Sequence, residues 1–466
     1  MKYLKIGFLS LLLIGCQLSD KKETPMNTFT GEKGEVKLIV LAPGHFHADL
    51  LQKNKLEQIN DSVFVYAQEG SELNQYLVRV ESYNNREENP TLWEEVVYNG
   101  SDFLEKMLAE KKGNVVVLAG NNKEKTRYIF ESVAAGFNVL SDKPMAINKV
   151  NFELLKQAYD TAQANNVLLY DLMTERYDVL NIIERKLINN KDLFGELQTG
   201  TETDPAISME SVHHFYKEVS GKTLIRPAWY YDVEQQGEGI ADVTTHLIDL
   251  AHWKSFPEEV IDYKEDIEVT SASHWPTELS LTDFTNSTNV EAFPNYLDKY
   301  IEDGKLKVFA NGTINYKVKN VNVALKVIWN YKAPQGSGDT FSAMMKGTKA
   351  SLKTIQDKST NFTKQLYIEK GADVNKDEFD SHLRDAIEEV KKDFPTVSIE
   401  PSMSNEGEYL INIPNEEKKG HETHFQNVAQ NFFDYLVSQD LPEWEVSNTL
   451  AKYYIITTAV DIAKEK

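Results

Sequence analysis

Four short apolar runs separated by helical stretches constrain this chain more than any other feature. They are residues 36–41 (VKLIVL), 63–67 (VFVYA), 114–119 (NVVVLA) and 137–140 (FNVL). Runs this short and this unbroken fit strands buried on both faces. Residues 102–111 read as a helix. Lys123–Ala135 sets Tyr128, Ile129, Ser132 and Val133 at helical spacing, and Gly136 is a natural C-cap. Alternation of this kind predicts an α/β fold that begins with a doubly wound parallel sheet. Such sheets bind ligands at the carboxyl ends of their strands. Gly44, Gly120-Asn121-Asn122 and Ser141-Asp142-Lys143-Pro144 fall at those ends.

The turn after the first run reads APGHFHADL. A G-x-G-x-x-G dinucleotide loop would place glycines at 42, 44 and 47, where the chain has Ala42, Gly44 and His47. Gly44 still lets the backbone approach a pyrophosphate, and a helix N-terminus favours an anion. His45, Phe46 and His47 complete the candidate cofactor loop, and the imidazoles add donors. An ordinary βα turn is the alternative reading of this stretch alone. After the second run, Glu69 is placed to hold a ribose 2′-hydroxyl. A carboxylate there disfavours a 2′-phosphate, so NAD is expected, with NADP the alternative.

Residues 115–146 (VVVLAGNNKEKTRYIFESVAAGFNVLSDKPMA) resemble the Gfo/Idh/MocA oxidoreductases, whose pattern ends G-x-H-V-x-x-E-K-P. Here Asp142 stands for the usual Glu. The resemblance implies a Rossmann-like domain followed by an α+β domain with an open, largely antiparallel sheet. It also implies that Lys143 faces the nicotinamide and the substrate hydroxyl, with Asn121, Asn122 and Pro144 in the cofactor site. A desolvated lysine beside a cationic nicotinamide is expected to have a lowered pKa and to exchange protons. The second match is GEGIADVTTHLIDLAHW, residues 237–253. Asp242 and His246 are four apart, on one helix face. The resemblance makes His246 the acid/base and Asp242 its partner at the substrate; Asp249 falls on the same face. Arg176 and Tyr177 fit a family position near the substrate. His213, Arg226, Trp229 and Tyr230 form a polar and aromatic set suited to stacking and binding a sugar.

The chain starts MKYLKIGFLSLLLIGCQLSD. Two lysines precede an apolar stretch too short to span a bilayer, and Cys16 follows Leu-Ile-Gly. This resembles a bacterial lipoprotein signal, with cleavage before a lipidated Cys16. The expected organisation is a signal peptide over 1–15 and a flexible tether over 16–35. A dinucleotide domain over 36–150 and a substrate and oligomerisation domain over 151–360 follow. A C-terminal extension over 361–466 completes it. The expected address is the cell envelope, membrane-anchored through the lipid. One Cys excludes an intrachain disulfide, a Cys-based zinc site and an iron–sulfur cluster. His421-x-x-His424 has metal-ligand spacing but no third ligand candidate, so no metal is assigned. With 50 Lys+Arg against 72 Asp+Glu, the net charge of -22 excludes a nucleic-acid partner. Asn311-Gly312 signals a hairpin turn.

Three functions follow from these features. The first is a nicotinamide-dependent oxidoreductase passing hydride at a sugar or glycoside carbon, serving polysaccharide degradation, as a homo-oligomer. The second is a redox-neutral glycosidase or epimerase with a retained cofactor. Free NAD is scarce outside the cytoplasm, which motivates it. The third is a non-catalytic sugar-binding lipoprotein on a degenerate fold.

Overall fold

The computed structural model describes residues 28–219, 222–402 and 405–465. The signal segment and Cys16 lie outside the described residues. Six parallel strands form the first sheet: β1 (Leu38–Leu41), β2 (Ser62–Tyr66), β3 (Glu94–Tyr98), β4 (Val115–Leu118), β5 (Asn138–Ser141) and β6 (Leu169–Asp171). Their order is β3-β2-β1-β4-β5-β6, which reverses between β1 and β4. That reversal makes the switch point at which such sheets hold ligands. Every residue of β1, β4 and β5 is buried, which is why these strands show as unbroken apolar runs. Edge strand β3 reads EEVVY and is mostly exposed, so it carries no such run.

The helices of this half are α1 (His47–Leu50), α2 (Ser71–Asn84), α3 (Phe103–Glu110), α4 (Asn122–Ala134) and α5 (Lys149–Ala164). Leu104, Met107, Ile129, Val133, Phe152 and Leu155 bury α3, α4 and α5 in one core. Leu73, Tyr76 and Val80 bury α2 in a second. The helix expected after β1 is a single turn.

The second half begins with α6 (Val179–Ile188), β7 (Ile207–Tyr216) and a small ribbon of β8 (Glu218–Val219) with β9 (Lys222–Thr223). It continues through α7 (Gly239–Asp242), α8 (Thr244–Ser255), β10 (Ile267–Leu279), α9 (Leu281–Thr288), β11 (Ile301–Glu302), β12 (Lys305–Val318) and β13 (Val321–Lys332). Next come β14 (Thr340–Lys346), β15 (Ala350–Gln356), β16 (Gln365–Lys370), α10 (Lys376–Val390), β17 (Ser398–Pro401) and β18 (Glu408–Asn412). The chain closes with α11 (His421–Ser438) and α12 (Glu443–Lys464). The large sheet runs β10-β12-β13-β7-β14-β15-β16-β18-β17, with β11 beside β12. Its pairs are antiparallel except β13 with β7.

Several expectations are corrected. The first sheet includes β6, beyond the boundary placed at 150. The large sheet runs past 360 through β16 to β18, α12 packs into the first core and α11 into the second. Of the expected tether, residues 28–35 are folded onto the body. Phe29 is buried, and the Glu35 carboxylate accepts the amides of Thr30 and Gly31. Asn311-Gly312 sits inside β12. Asn311 spends its side chain on Trp275 O, Thr277 Oγ1 and the Trp329 amide, while Gly312 makes room for Ile240. The actual turn is Lys319-Asn320, with φ of 46° and 68°. Two positive values are what a tight hairpin needs. Among the described residues, no helix is long and apolar enough to cross a membrane.

Gly239 and Gly312 set the distance between α7 and β12. A Cβ on Gly239 would lie 1.8 Å from the Ala310 carbonyl oxygen, and one on Gly312 would lie 2.2 Å from Ile240 Cγ2. Gly239→Ala is expected to cost about 3 kcal/mol, the upper end for overpacking. Urea unfolding checks this, and an unchanged midpoint refutes the packing argument.

Candidate active site

Lys143 leaves the carboxyl end of β5, and Asp242 ends α7 in the other half of the molecule. Lys143 Nζ donates to Asp242 Oδ1 at 2.5 Å, and both side chains are largely buried. The Lys143–Pro144 peptide is cis. Burial pulls the lysine pKa down, but the Asp242 and Asp142 carboxylates outweigh it and the pKa is raised. With two carboxylates close by, the ammonium form is favoured. Burial pushes Asp242 up, and the Lys143 charge and hydrogen bond bring it below its ordinary value.

His246 follows one turn later, in α8. Its Nδ1 is buried with no hydrogen-bond partner. Burial, then the Lys143 charge, lowers its pKa to about 4. His246 is therefore a neutral imidazole beside an ammonium–carboxylate pair.

A lysine that the sequence reading missed lies behind this pair. Lys125 Nζ donates to Asn122 Oδ1 at 2.5 Å and to the Asp142 carbonyl at 3.1 Å. Burial lowers its pKa to about 8. The signal was present: Asn122, Lys125, Thr126, Ile129, Ser132 and Val133 form the buried face of α4, so Lys125 had to point inward.

The loop after β1 differs from a phosphate-binding loop in its hydrogen bonds. Gly44 N and His45 N both donate to Ala119 O, at 3.0 and 3.2 Å. Gly44 and Gly120 are pressed together; a Cβ on Gly44 would meet Gly120 Cα at 3.3 Å. In one-turn α1, Asp49 is buried and paired with Arg79 and Tyr83. The anion-favouring helix end expected here is not formed. His47 Nδ1 instead meets Asp142 Oδ1 at 3.0 Å, and His45 Nδ1 lies 3.6 Å from Asp142 Oδ2. Phe46 at the loop tip is exposed. A cleft of about 220 Å³ opens beside the loop, lined by Leu41, Ala42, Gly120, Asn121, Lys125 and Tyr128.

The other expected site residues divide. Asn121 lines the cleft and donates to Gln235 Oε1 at 2.8 Å. Asn122 is buried, and its amide is spent on Gln236 O and Lys125, so its expected cofactor contact is not available. Pro144 is buried behind Lys143, and Glu69 is exposed just beyond β2. Arg176 is corrected most plainly. Its Nε and Nη2 bind Asp249 at 2.7 Å, and Nη1 binds Glu445 at 2.8 and 2.9 Å. With four of its five N–H donors spent on two carboxylates and its side chain buried, this guanidinium holds the structure together. Tyr177 packs, partly buried, against the second core. His213 stacks on Trp329 at 4.9 Å, and the Arg226 guanidinium lies 4.6 Å over Tyr230. Asp339 gathers His213, His214 and Lys217. Trp229 reaches toward Gly44; its Cζ2 would touch a Cβ there at 3.6 Å. Burial pushes the Tyr230 phenol up, and Asp242 adds to this, so Tyr230 stands beside the lysine–carboxylate pair.

Two outcomes are expected. Lys452 bridges Asp171 and Asp249 at 3.0 Å each, in the network of Arg176 and Glu445. Lys452→Met leaves buried carboxylates unpaired and is expected to cost about 3–5 kcal/mol in urea unfolding; a cost below 1 kcal/mol refutes the network's role. His246 and His252 have pKa values of about 4 and about 3 when folded, lowered by burial first, against an ordinary 6.5. The unfolded chain then binds more protons below pH 6.5. Stability is complete above that pH and falls as pH drops toward 4, by up to about 1.4 kcal/mol per pH unit for each imidazole. A flat stability between pH 7 and 5 contradicts this.

Residues 183–464 match the family described as "Putative oxidoreductase C terminal domain". No curated protein matches the chain. A crystal structure of a "putative oxidoreductase" from Parabacteroides merdae is 47% identical, with a TM-score of 0.92; the match covers 94% of this chain and 99% of that one. The WlbA dehydrogenase of Bordetella pertussis, solved with NADH and UDP-GlcNAcA, shares the fold at 16% identity and a TM-score of 0.53, over 94% of this chain and 97% of that one. A levoglucosan dehydrogenase solved with NADH and levoglucosan does so at 13% and 0.56, over 92% and 97%. The chain therefore belongs to the oxidoreductase family whose C-terminal domain model it matches, and its parallel sheet and mixed second sheet are the fold of the Gfo/Idh/MocA-type oxidoreductases.

Proposed function

We propose that the protein is an NAD(P)-dependent oxidoreductase acting on a CH–OH carbon of a sugar or glycoside. The observation that carries this reading is the Lys143–Asp242 contact at 2.5 Å with neutral His246 one turn away. The residues present suit a nicotinamide dinucleotide at its reactive end. The cleft lies at the carboxyl ends of β1 and β4, where strand order reverses. Gly44, Gly120 and Asn121 would border the cofactor, and Glu69 is free at the end of β2 for a ribose, favouring NAD. His45, with 30% of its side chain exposed, is the donor the loop retains.

Such a cofactor, when bound, takes or returns a hydride. The chain's own residues handle the oxygen and its proton. Lys143, fixed by Asp242, donates a hydrogen bond to the reacting oxygen and stabilises negative charge as it develops. The raised pKa keeps Lys143 charged, so the hydroxyl proton goes to His246, whose Nδ1 is unpaired. Asp242 holds the ammonium in place. Tyr230, His213 and Arg226 form the wall next to Asp242 and suit a sugar ring and its hydroxyls. Both dehydrogenases compared above were solved with sugar ligands, which supports the substrate class.

The lipoprotein-like start supports export and anchoring through Cys16 to the cell envelope. Sugar chemistry at that address suits polysaccharide degradation.

NAD and NADP titrated into the full chain are expected to bind, and a panel of sugars and glycosides is expected to reveal hydride transfer. Lys143→Met is expected to lower turnover by about 10²–10⁴-fold while NAD binding persists. No binding of either dinucleotide overturns this reading.

A further inference from the structure

A second group of chemistry-bearing residues stands beside this site, and its His47 and His421 have no part in the mechanism above. It joins the loop after β1, the end of β5 and the start of α11. Asp142 accepts from His47 Nδ1 at 3.0 Å, which leaves the other ring nitrogen, Nε2, on the far side of the imidazole. His47 Nε2 faces His421 Nε2 at 3.3 Å. That spacing allows one ring N–H to donate to the other nitrogen. It matches two imidazoles bound to one tetrahedral ion: at about 2.0–2.1 Å from the metal, two nitrogens lie about 3.3 Å apart.

The surroundings are those of a built site. Phe425 packs on both rings, at 4.7 Å from His47 and 5.2 Å from His421. Lys53, just after α1, pairs with Glu422 at 3.3 Å and fixes the start of α11 against the loop. His45 lies against the His47 ring, with centroids 4.2 Å apart, and shares Asp142. The donor atoms of His45, His47 and Asp142 all lie within 4.8 Å of one another. A carboxylate behind a ligating histidine fixes its tautomer and raises its basicity, a common outer-shell arrangement at metal sites. His47 is thus the partner for His421 that the sequence did not reveal.

We propose that His47 and His421 bind a divalent transition-metal ion through their Nε2 atoms, with Asp142 orienting His47. Imidazole donors with carboxylate support and no thiolate select an ion of the Zn²⁺ class. Water would complete the shell of the ion. Asp142 directly precedes Lys143, so the ion and the lysine–carboxylate pair would hang from the same strand end.

The test uses the full chain, freed of metal by chelation and titrated with Zn²⁺, then with Co²⁺ as a spectroscopic probe. The expected result is one saturable equivalent, with the visible bands of four-coordinate Co²⁺. His421→Gln is expected to weaken binding by at least 100-fold and remove those bands, while circular dichroism and melting stay as in the parent. Asp142→Asn is expected to weaken binding about 10–100-fold. His45→Ala is expected to leave it in place. No saturable binding, or equal affinity in the parent and in His421→Gln, overturns the proposal. Loss in His45→Ala with retention in His421→Gln also overturns it. His421 lies at the partly exposed first turn of α11, so its variant decides even if a His47 variant fails to fold. Metal content needs neither cofactor nor sugar, so this proposal and the dehydrogenase reading fail separately.

Discussion

The molecule depends on one buried charge network. Arg176, Asp249, Glu445, Lys452 and Asp171 meet in the interior, from the end of β6, the turn after it, α8 and α12. Each charge taken out of water costs several kcal/mol unless it is paired at close range. The network meets that condition with bidentate contact between Arg176 and Asp249 and a lysine shared by two carboxylates. Tyr453 adds a hydrogen bond to Asp171 at 2.8 Å. The consequence is geometric. Helix α8, which carries His246, and β6, which lies next to β5 and Lys143, are locked to the same C-terminal helix.

The geometry of the candidate site follows from that lock. Lys143 belongs to the first sheet and Asp242 to the second half, so their 2.5 Å contact exists only if the two halves dock in one way. Helix α12 supplies Glu445 and Lys452 and packs on the strands and helices of both halves. The C-terminal residues are part of the framework of the candidate site. This explains why the matched family region runs to residue 464 rather than stopping at 360. The same docking brings the start of α11 over the shortened α1, where Phe425, Phe432 and Phe433 cover the sheet face left open.

Much of the fold was legible in the residues. Strands β1, β4 and β5 are buried on both faces, so their apolar runs announced them, and α3 and α4 followed from periodicity. Strand β3 was invisible because an exposed edge strand needs few apolar residues. The turn at Lys319-Asn320 was missed because Asn311-Gly312 carries the stronger local signal. Burial against α7 and the Asn311 side-chain bonds override that signal. Lys143, Asp242 and His246 were legible because the spacing of each motif is local. Arg176 was misread because a buried arginine and a substrate-binding arginine look alike until their partners are known. Those partners, Asp249 and Glu445, lie 73 and 269 residues away.

By itself, the sequence determined the class of sheet, the strand ends at which ligands gather, and the lysine, aspartate and histidine that carry the proposed chemistry. These are set by short-range patterns of burial and spacing. Tertiary structure alone decided which charges survive desolvation in pairs. It also decided that the loop amides turn to Ala119 and away from an anion. It set His421 against His47 across 374 residues of chain. The reason is that burial, pairing and dielectric depend on what arrives from elsewhere in the chain, and no local pattern records that arrival.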